Sequence, residues 1–304
     1  MVADALESTL FDSAFLAKLD QLHLLARRLF RGEQRAERRS RQTGSSLEFA
    51  DYREYSSGDE LRAIDWPAYA RLERLFVKLY EQEQDLPVSF LIDASASMHW
   101  LPERHTGFGK FAAARRITAA LGYIALSNLD RVSIHYFAER LLSELGVKRG
   151  KAQFHSLLDF LRISPGSAGR TSLLTSAKAF VKRTKRSGIV LVLSDFLDPA
   201  GYEESLAILQ HAEFDVHTIQ ILHPEELSPQ AVGDLRLLEA ETGASMEVTA
   251  NEAVLARYRE EAAAFNSDLA TFCRKRAISH ASVTCDLPFE DVVLKTLRDG
   301  LMLR

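Results

Sequence analysis

Two periodicities share this chain. From Phe11 to Phe30 the apolar residues Phe15, Leu16, Leu19, Leu22, Leu25, Ala26 and Leu29 fall close to helical spacing. That spacing predicts an amphipathic helix whose apolar stripe must pack on something. Leu75, Val77 and Leu79 then alternate with Phe76, Lys78 and Tyr80, the period of a strand. From Val88 onward short apolar runs trade places with longer helical patterns. Strands are predicted at Val88 to Asp93, Arg131 to Phe137, Gly188 to Ser194 and Phe214 to Leu222, and helices at Phe108 to Leu126, Ala152 to Ile163, Ser172 to Val181 and Glu203 to His211.

Such alternation predicts an α/β protein with a doubly wound, mostly parallel, Rossmann-like sheet and right-handed crossovers. The pattern breaks after His223-Pro224-Glu225-Glu226. Leu235 to Ala240 and Ala244 to Val248 read as a hairpin about Glu241-Thr242-Gly243, and Glu252 to Lys275 as a long charged helix. Ala281 to Cys285 is expected as the last strand and Phe289 to Met302 as the closing helix. The expected organisation is an extension over 1–85, a core over 86–223, a hairpin-and-helix insertion over 224–277, and the end of the core over 278–304.

Composition narrows the function classes. With 304 residues, 46% hydrophobic and 26% charged, the chain can bury a sizeable core. A net charge of −4 argues against general nucleic-acid affinity. No apolar run approaches the roughly 20 residues of a membrane helix. The start of the chain carries Asp4, Glu7 and Asp12 and lacks the basic, then apolar, pattern of a secretory signal, so a cytoplasmic location is expected. Cys273 and Cys285 read as two buried thiols. The run Arg27, Arg28, Arg31, Arg35, Arg38, Arg39 and Arg41, followed by Thr43-Gly44-Ser45-Ser46, reads as a solvated linker, with a patch for anionic partners or lipid as the alternative.

The chemistry concentrates where strands end. Val88 to Met98 runs an apolar strand into Asp93-Ala94-Ser95-Ala96-Ser97, one carboxylate and two hydroxyls with no sulfur or imidazole. Hard oxygen ligands of this kind suit Mg²⁺ or Mn²⁺. Thr171, in Gly169 to Leu174, opens an expected helix, and Asp195 ends the strand Ile189 to Ser194. In an open parallel sheet the carboxyl ends of neighbouring strands lie along one edge, so Asp93, Ser95, Ser97, Thr171 and Asp195 are candidates for a single cation site.

This order of Asp-x-Ser-x-Ser, Thr and Asp resembles the metal-ion-dependent adhesion site of von Willebrand factor A (vWA) domains. Upstream, Glu48 to Tyr55, Gly58 to Trp66 and Ala70-Arg71 resemble the signature of the domain-of-unknown-function family 58, itself vWA-like. The resemblance implies that Ser95, Ser97 and Thr171 ligate the cation directly, while Asp93 and Asp195 act largely through hydrogen bonds or water. Two carboxylates balance a dication, and three hydroxyls leave at least one octahedral position open to a partner's Glu or Asp. The pattern departs from the wider vWA family at Phe196, a place often held by glycine, and at Arg170, beside Thr171. Phe196 is expected to narrow the approach, and Arg170 to attract a partner's carboxylate, to occupy the open position or to repel the cation.

The expectation is therefore a non-enzymatic, Mg²⁺-dependent protein-binding module. The family resemblance adds a MoxR-type AAA+ ATPase as partner, in protein assembly or maturation, leaving peripheral membrane contact through partners open. The alternatives are a metal-dependent phosphoester hydrolase built on Asp93 and Asp195, and a structural subunit with a vestigial site held by the helix Phe11 to Phe30. Trp100 is a candidate contact anchor beside the site, with half-buried packing the alternative. His99 and His105 are read as ordinary loop residues, and Glu60, Arg62, Asp65 and Arg71 as an ion-pair network anchoring their segment on the sheet, with a metal centre at Asp51, Asp59 and Asp65 as the alternative.

Overall fold

The reason for the central sheet is visible in its inner strand, Ile189-Val-Leu-Val-Leu-Ser194, where all six residues are buried. A strand covered on both faces must be apolar throughout, as in sheets layered between helices. The structure, a computed structural model, describes residues 9–37, 48–56, 59, 62, 64–81, 87–102, 107–166 and 169–298. The expected linker at Thr43 to Ser46, His105, and the end of the closing helix at Met302 lie outside the described residues. The chain forms two compact units, Met1–Arg31 with Leu86–Arg304, and Gly32–Asp85.

In chain order the described elements begin with α1 (Ser13–Glu37), β1 (Glu48–Glu54), α2 (Trp66–Leu72), β2 (Phe76–Glu81), β3 (Pro87–Asp93) and α3 (Ala96–His99). Then come α4 (Lys110–Ser127), β4 (Arg131–Phe137), β5 (Leu141–Arg149), α5 (Phe154–Arg162), α6 (Leu173–Arg183), β6 (Ile189–Ser194) and α7 (Glu203–His211). The chain continues through β7 (Asp215–Leu222), α8 (Pro224–Leu227), β8 (Gly233–Leu238), β9 (Ser245–Ala250), α9 (Glu252–Lys275), β10 (Ser279–Thr284) and α10 (Phe289–Arg298).

The larger unit holds a six-stranded sheet in the order β10-β7-β6-β3-β4-β5. Five strands are parallel and β5 closes one edge antiparallel to β4. Alternate side chains sort to opposite faces. Phe90, Ile92, Leu191 and Leu193 pack with α1, α4, α5 and α10, while Leu91, Val190 and Val192 pack with α6, α7 and α9. Of the α1 stripe, Phe15, Leu19, Leu22 and Ala26 are buried within their own unit, with the Phe15 ring tilted against Phe289 at 4.6 Å between centroids, while Leu16 and Leu25 stay exposed. Arg115 and Arg116, which break the apolar pattern of α4, sit over aromatic rings; Arg115 is fully buried, donates to the Leu161 carbonyl at 3.2 Å and lies 4.7 Å from the Phe111 ring. Cys273 and Cys285 are both buried and free, and burial pushes the Cys285 thiol up to about 12. No described helix is long and apolar enough to cross a membrane.

The smaller unit pairs β1 with β2 antiparallel. Asp65 is the N-cap of α2, accepting from the Ala68 amide at 3.1 Å and from the Tyr52 hydroxyl at 2.7 Å. Asp59 takes the Arg53 guanidinium at 2.7 Å, and Arg74 pairs with Glu54 at 3.4 Å.

Candidate functional site

The strand order places a topological switch point between β3 and β6. The chain leaves β3 for β4 and β5 on one side, then crosses to β6 on the other, and the crevice outside the carboxyl ends of such a pair is where open α/β sheets bind ligands. β3 ends at Asp93, level with the end of β6 at Ser194-Asp195, because Ile92 pairs with Leu193.

Asp93 is 1% exposed and is surrounded by hydroxyls. Its Oδ1 accepts from the Ser95 amide at 2.9 Å, and its Oδ2 from the Ser194 hydroxyl at 2.6 Å and, at the long limit of 3.5 Å, from the Thr171 hydroxyl. Ser95 and Ser97 share a hydrogen bond of 3.0 Å between their hydroxyls. The loop holding Thr171 is pinned from three directions. Ala96 N–H donates to the Gly169 carbonyl at 3.0 Å, Ser172 N–H to the Ala138 carbonyl at 2.9 Å, and Leu173 N–H to Asp198 at 2.8 Å. Thr171 itself precedes the helix, which Ser172 caps by accepting from Thr175 N–H.

Asp195, also buried, belongs to a second cluster. Its Oδ1 accepts from the Leu197 amide at 3.2 Å, and its Oδ2 takes the ammonium of Lys110 at 2.8 Å. Lys110 is fully buried and also contacts Glu226 Oε1. Glu226 completes a capping box on α8 by accepting from His223 N–H at 2.8 Å, and its carbonyl accepts from the Tyr258 hydroxyl of α9 at 2.8 Å. Burial works to strip the proton from Lys110, but the Asp195 and Glu226 carboxylates outweigh it and hold the ammonium above the usual lysine range.

A third carboxylate reaches the site from the hairpin. Glu241, at the turn between β8 and β9, accepts from the Thr171 amide at 3.3 Å. Burial raises its carboxyl above the ordinary value against that hydrogen bond, and Asp195, Asp198 and Glu239 add like-charge repulsion. Burial also pushes Asp93 up to about 7, with the Asp195 carboxylate adding and the Ser194 and Ser95 hydrogen bonds opposing. Among the described residues, Lys110 is the buried cation that offsets these carboxylates.

The donor set fits a hard dication. Asp93, Ser95, Thr171 and Ser194 present oxygen alone, drawn together within hydrogen-bond reach. Among the described residues no three His, Cys, Asp or Glu side chains converge as a metal cluster. A cation here would depend on hydroxyls, the donors that hard ions accept beside carboxylates.

Of the two departures, Phe196 differs from expectation. Phe196 adopts a left-handed backbone with φ of 61°, the conformation that glycine takes without strain, yet its ring turns into the core, 2% exposed and edge-on to Tyr202 at 6.4 Å. It does not narrow the approach. Arg170 is exposed. Trp100 is 37% exposed, with its ring edge-on to His223 at 5.3 Å, and His99 lies 4.3 Å from Phe111 with Nδ1 3.0 Å from the Ser95 carbonyl. Lys110, Ser194, Glu226 and Glu241 were not candidates from the sequence. One signal existed for Lys110: a cation in the first turn of a helix opposes the macrodipole, so its place there calls for a local carboxylate.

Comparison with known proteins adds family context. Residues 51–268 match the family described as Protein of unknown function DUF58. The uncharacterised protein Rv1480 of Mycobacterium tuberculosis is 26% identical over 238 residues, covering 76% of this chain and 72% of its own. The uncharacterised MAV169 of Mycobacterium avium is 26% identical over 162 residues, 53% of this chain and 89% of its own. Among solved structures, the conserved hypothetical protein BatB from Bacteroides thetaiotaomicron aligns at 14% identity with a TM-score of 0.43, covering 71% of this chain and 99% of that one. An aerotolerance-related membrane protein from Bacteroides fragilis aligns at 14% identity and TM-score 0.45, covering 71% and 100%.

Proposed function

The chain belongs to the DUF58 family, and from that membership and the chemistry of the sheet edge we propose that it is a non-enzymatic, Mg²⁺-dependent protein-binding module with a vWA-like core. The observation that carries the reading is the gathering of Ser95, Thr171 and Ser194 around the one buried carboxylate of Asp93 at the switch point between β3 and β6. In this reading Ser95, Ser97 and Thr171 hold the cation directly, and Asp93 and Asp195 hold it through hydrogen bonds or water. The cation supplies an open Lewis-acidic position to which a partner's Glu or Asp bonds. Ser194 keeps Asp93 oriented by donating to it while accepting from Phe196 N–H at 2.9 Å.

The partner we propose is a MoxR-type AAA+ ATPase, with a protein ligand that offers the carboxylate. The support for that partner is the vWA-like resemblance of the motif. The apolar stripe of α1 supports a binding module over a subunit tethered through that helix, because Phe15, Leu19, Leu22 and Ala26 are already buried in the unit's own core.

The test is calorimetric titration of Mg²⁺ and Mn²⁺ into the wild type and a Ser95→Ala/Ser97→Ala double variant, with circular dichroism showing both folded. Binding present in the first and lost in the second is expected. Equal binding by the two would remove the adhesion-type site and the proposal with it.

A further inference from the structure

The open position matters most to this proposal, and the chain brings its own carboxylate toward it. β8 and β9 form a hairpin whose residues are largely exposed along both strands, with Leu237, Leu238 and Met246 among the exposed large apolar side chains. Its turn is internally braced. Glu239 N–H donates to the Ala244 carbonyl at 2.8 Å, Gly243 N–H to the Glu239 carbonyl at 2.9 Å, and Ala244 N–H to the Thr242 hydroxyl at 3.1 Å. Gly243 takes the left-handed φ of 70° that this turn needs. The neighbours Ala240 and Thr242 are exposed, whereas Glu241 between them is half-buried. A rigid turn therefore presents one side chain, and that side chain ends on the amide of Thr171 at 3.3 Å.

The amide is three bonds from the hydroxyl of Thr171, which is a candidate direct ligand. The hydroxyl in turn faces Asp93. Bringing Glu241 toward Asp195 and Asp198, which repel it, is electrostatically adverse, and one N–H donor compensates only part of that cost. A dication bound among these groups reverses the sign of the interaction.

Resting on the cation-site reading above, we infer that Glu241 is an intramolecular carboxylate ligand: the hairpin is a strap that fills the open metal position with the chain's own acid, and a partner's acidic side chain must displace it. The exposed strands give the strap little other anchorage, so exchange of one carboxylate for another costs few contacts. The site would then be selective for partners that present a carboxylate together with a surface for the released hairpin.

The probe is Mn²⁺ bound to the full chain, with the inner-sphere water count read from water-proton relaxation and the affinity read by titration. The variants are Glu241→Ala, Glu247→Ala as an exposed charge control on the same hairpin, and Asp93→Ala. Glu241→Ala is expected to gain one inner-sphere water and to lose about tenfold in Mn²⁺ affinity; Glu247→Ala is expected to match the wild type. Without metal, hydrogen exchange at the Thr171 amide is expected to quicken in Glu241→Ala alone. If Mn²⁺ binding requires Asp93 but the water count of Glu241→Ala equals that of the wild type, the strap is refuted while the cation site stands. If Mn²⁺ does not bind the wild type, or binds Asp93→Ala equally well, both fall.

Discussion

Replacing Lys110 with Met isolates the electrostatics of the sheet edge. The methionine keeps most of the side-chain volume and removes the ammonium, which is fully buried between Asp195 at 2.8 Å and Glu226. Removing one partner of a buried pair costs about 3–5 kcal/mol, chiefly because the remaining charge is left uncompensated. Here the two carboxylates differ. Glu226 keeps the His223 amide at 2.8 Å and has 18% of its side chain exposed, so water and a backbone donor soften its loss. Asp195 is 1% exposed and keeps only the longer Leu197 amide bond at 3.2 Å among those described. The loss should therefore sit near the lower end, about 3 kcal/mol, or roughly 6 °C in Tm for a chain of this size at about 2 °C per kcal/mol. Chemical denaturation with and without Asp195→Asn in the same chain measures it, since the double variant no longer strands a buried charge and should recover at least about 1 kcal/mol. In Mg²⁺ the single variant should regain stability more than the wild type does, because a dication no longer competes with an internal ammonium. A loss below about 1 kcal/mol, or a double variant less stable than the single one, would refute this account of Lys110.

Three further expectations test the fold. Gly188→Ala would set a Cβ 2.3 Å from the Pro87 carbonyl oxygen of β3, a backbone atom that cannot yield, and should cost about 1–3 kcal/mol; Gly122→Ala meets only the Leu157 Cδ1 at 2.8 Å, gains about 1 kcal/mol of helix propensity, and should be near neutral, so equal denaturation midpoints would contradict the packing described. Burial, with Lys295 nearby, lowers the His280 imidazole to about 4. The unfolded chain takes up that proton near pH 6.5 and the folded protein does not, so stability falls as pH drops through this window; the penalty of His280→Asn should be largest above pH 6.5 and shrink toward pH 4, and a pH-independent penalty would refute it. Phe196→Gly should relieve about 1–2 kcal/mol of left-handed strain but forfeit a buried phenyl worth about 3–5 kcal/mol, leaving a net loss of about 2 kcal/mol in denaturant titration; a gain in stability would show that the ring contributes little.

Periodicity was most informative where one environment runs the length of an element. Arg131–Phe137, Glu203–His211 and Glu252–Lys275 coincide with the expected elements because their patterns are unbroken from end to end. β5 was missed because Leu-Leu-Ser-Glu-Leu-Gly-Val-Lys-Arg lies on an edge, with most of its residues facing water, and an edge strand needs no apolar alternation. β1 was missed for a related reason, since Glu-Phe-Ala-Asp-Tyr-Arg-Glu carries charge at most positions and is held by pairing with β2. The five expected ligands separate into two groups. Asp93, Ser95, Ser97 and Thr171 share hydrogen bonds, whereas Asp195 turns to Lys110, a partner 85 residues distant that no local pattern could supply. Glu226 and Glu241 carried no signal in the sequence, because their roles depend on where α8 and the hairpin bring them to the sheet edge.

The division of labour between Asp93 and Asp195 bears on how such a site can exist without collapsing. Two buried carboxylates at the ends of adjacent strands cannot both stay ionised without compensation, since each desolvates and repels the other. The fold meets this asymmetrically. Asp195 receives an internal cation from Lys110, while the donors to Asp93 among the described residues are neutral, the Ser95 amide and the Ser194 and Thr171 hydroxyls, and burial pushes it up to about 7. That carboxylate is the one that accepts from the hydroxyls of Ser194 and Thr171 and from the Ser95 amide. An arrangement selected only for stability would have matched both acids with lysines or replaced one of them, because neutralising a buried charge is favourable and leaving it is not. In the proposed reading, a cation bound beside the loop pinned by Gly169, Ala138 and Asp198 would supply the positive charge that Asp93 lacks among the described residues.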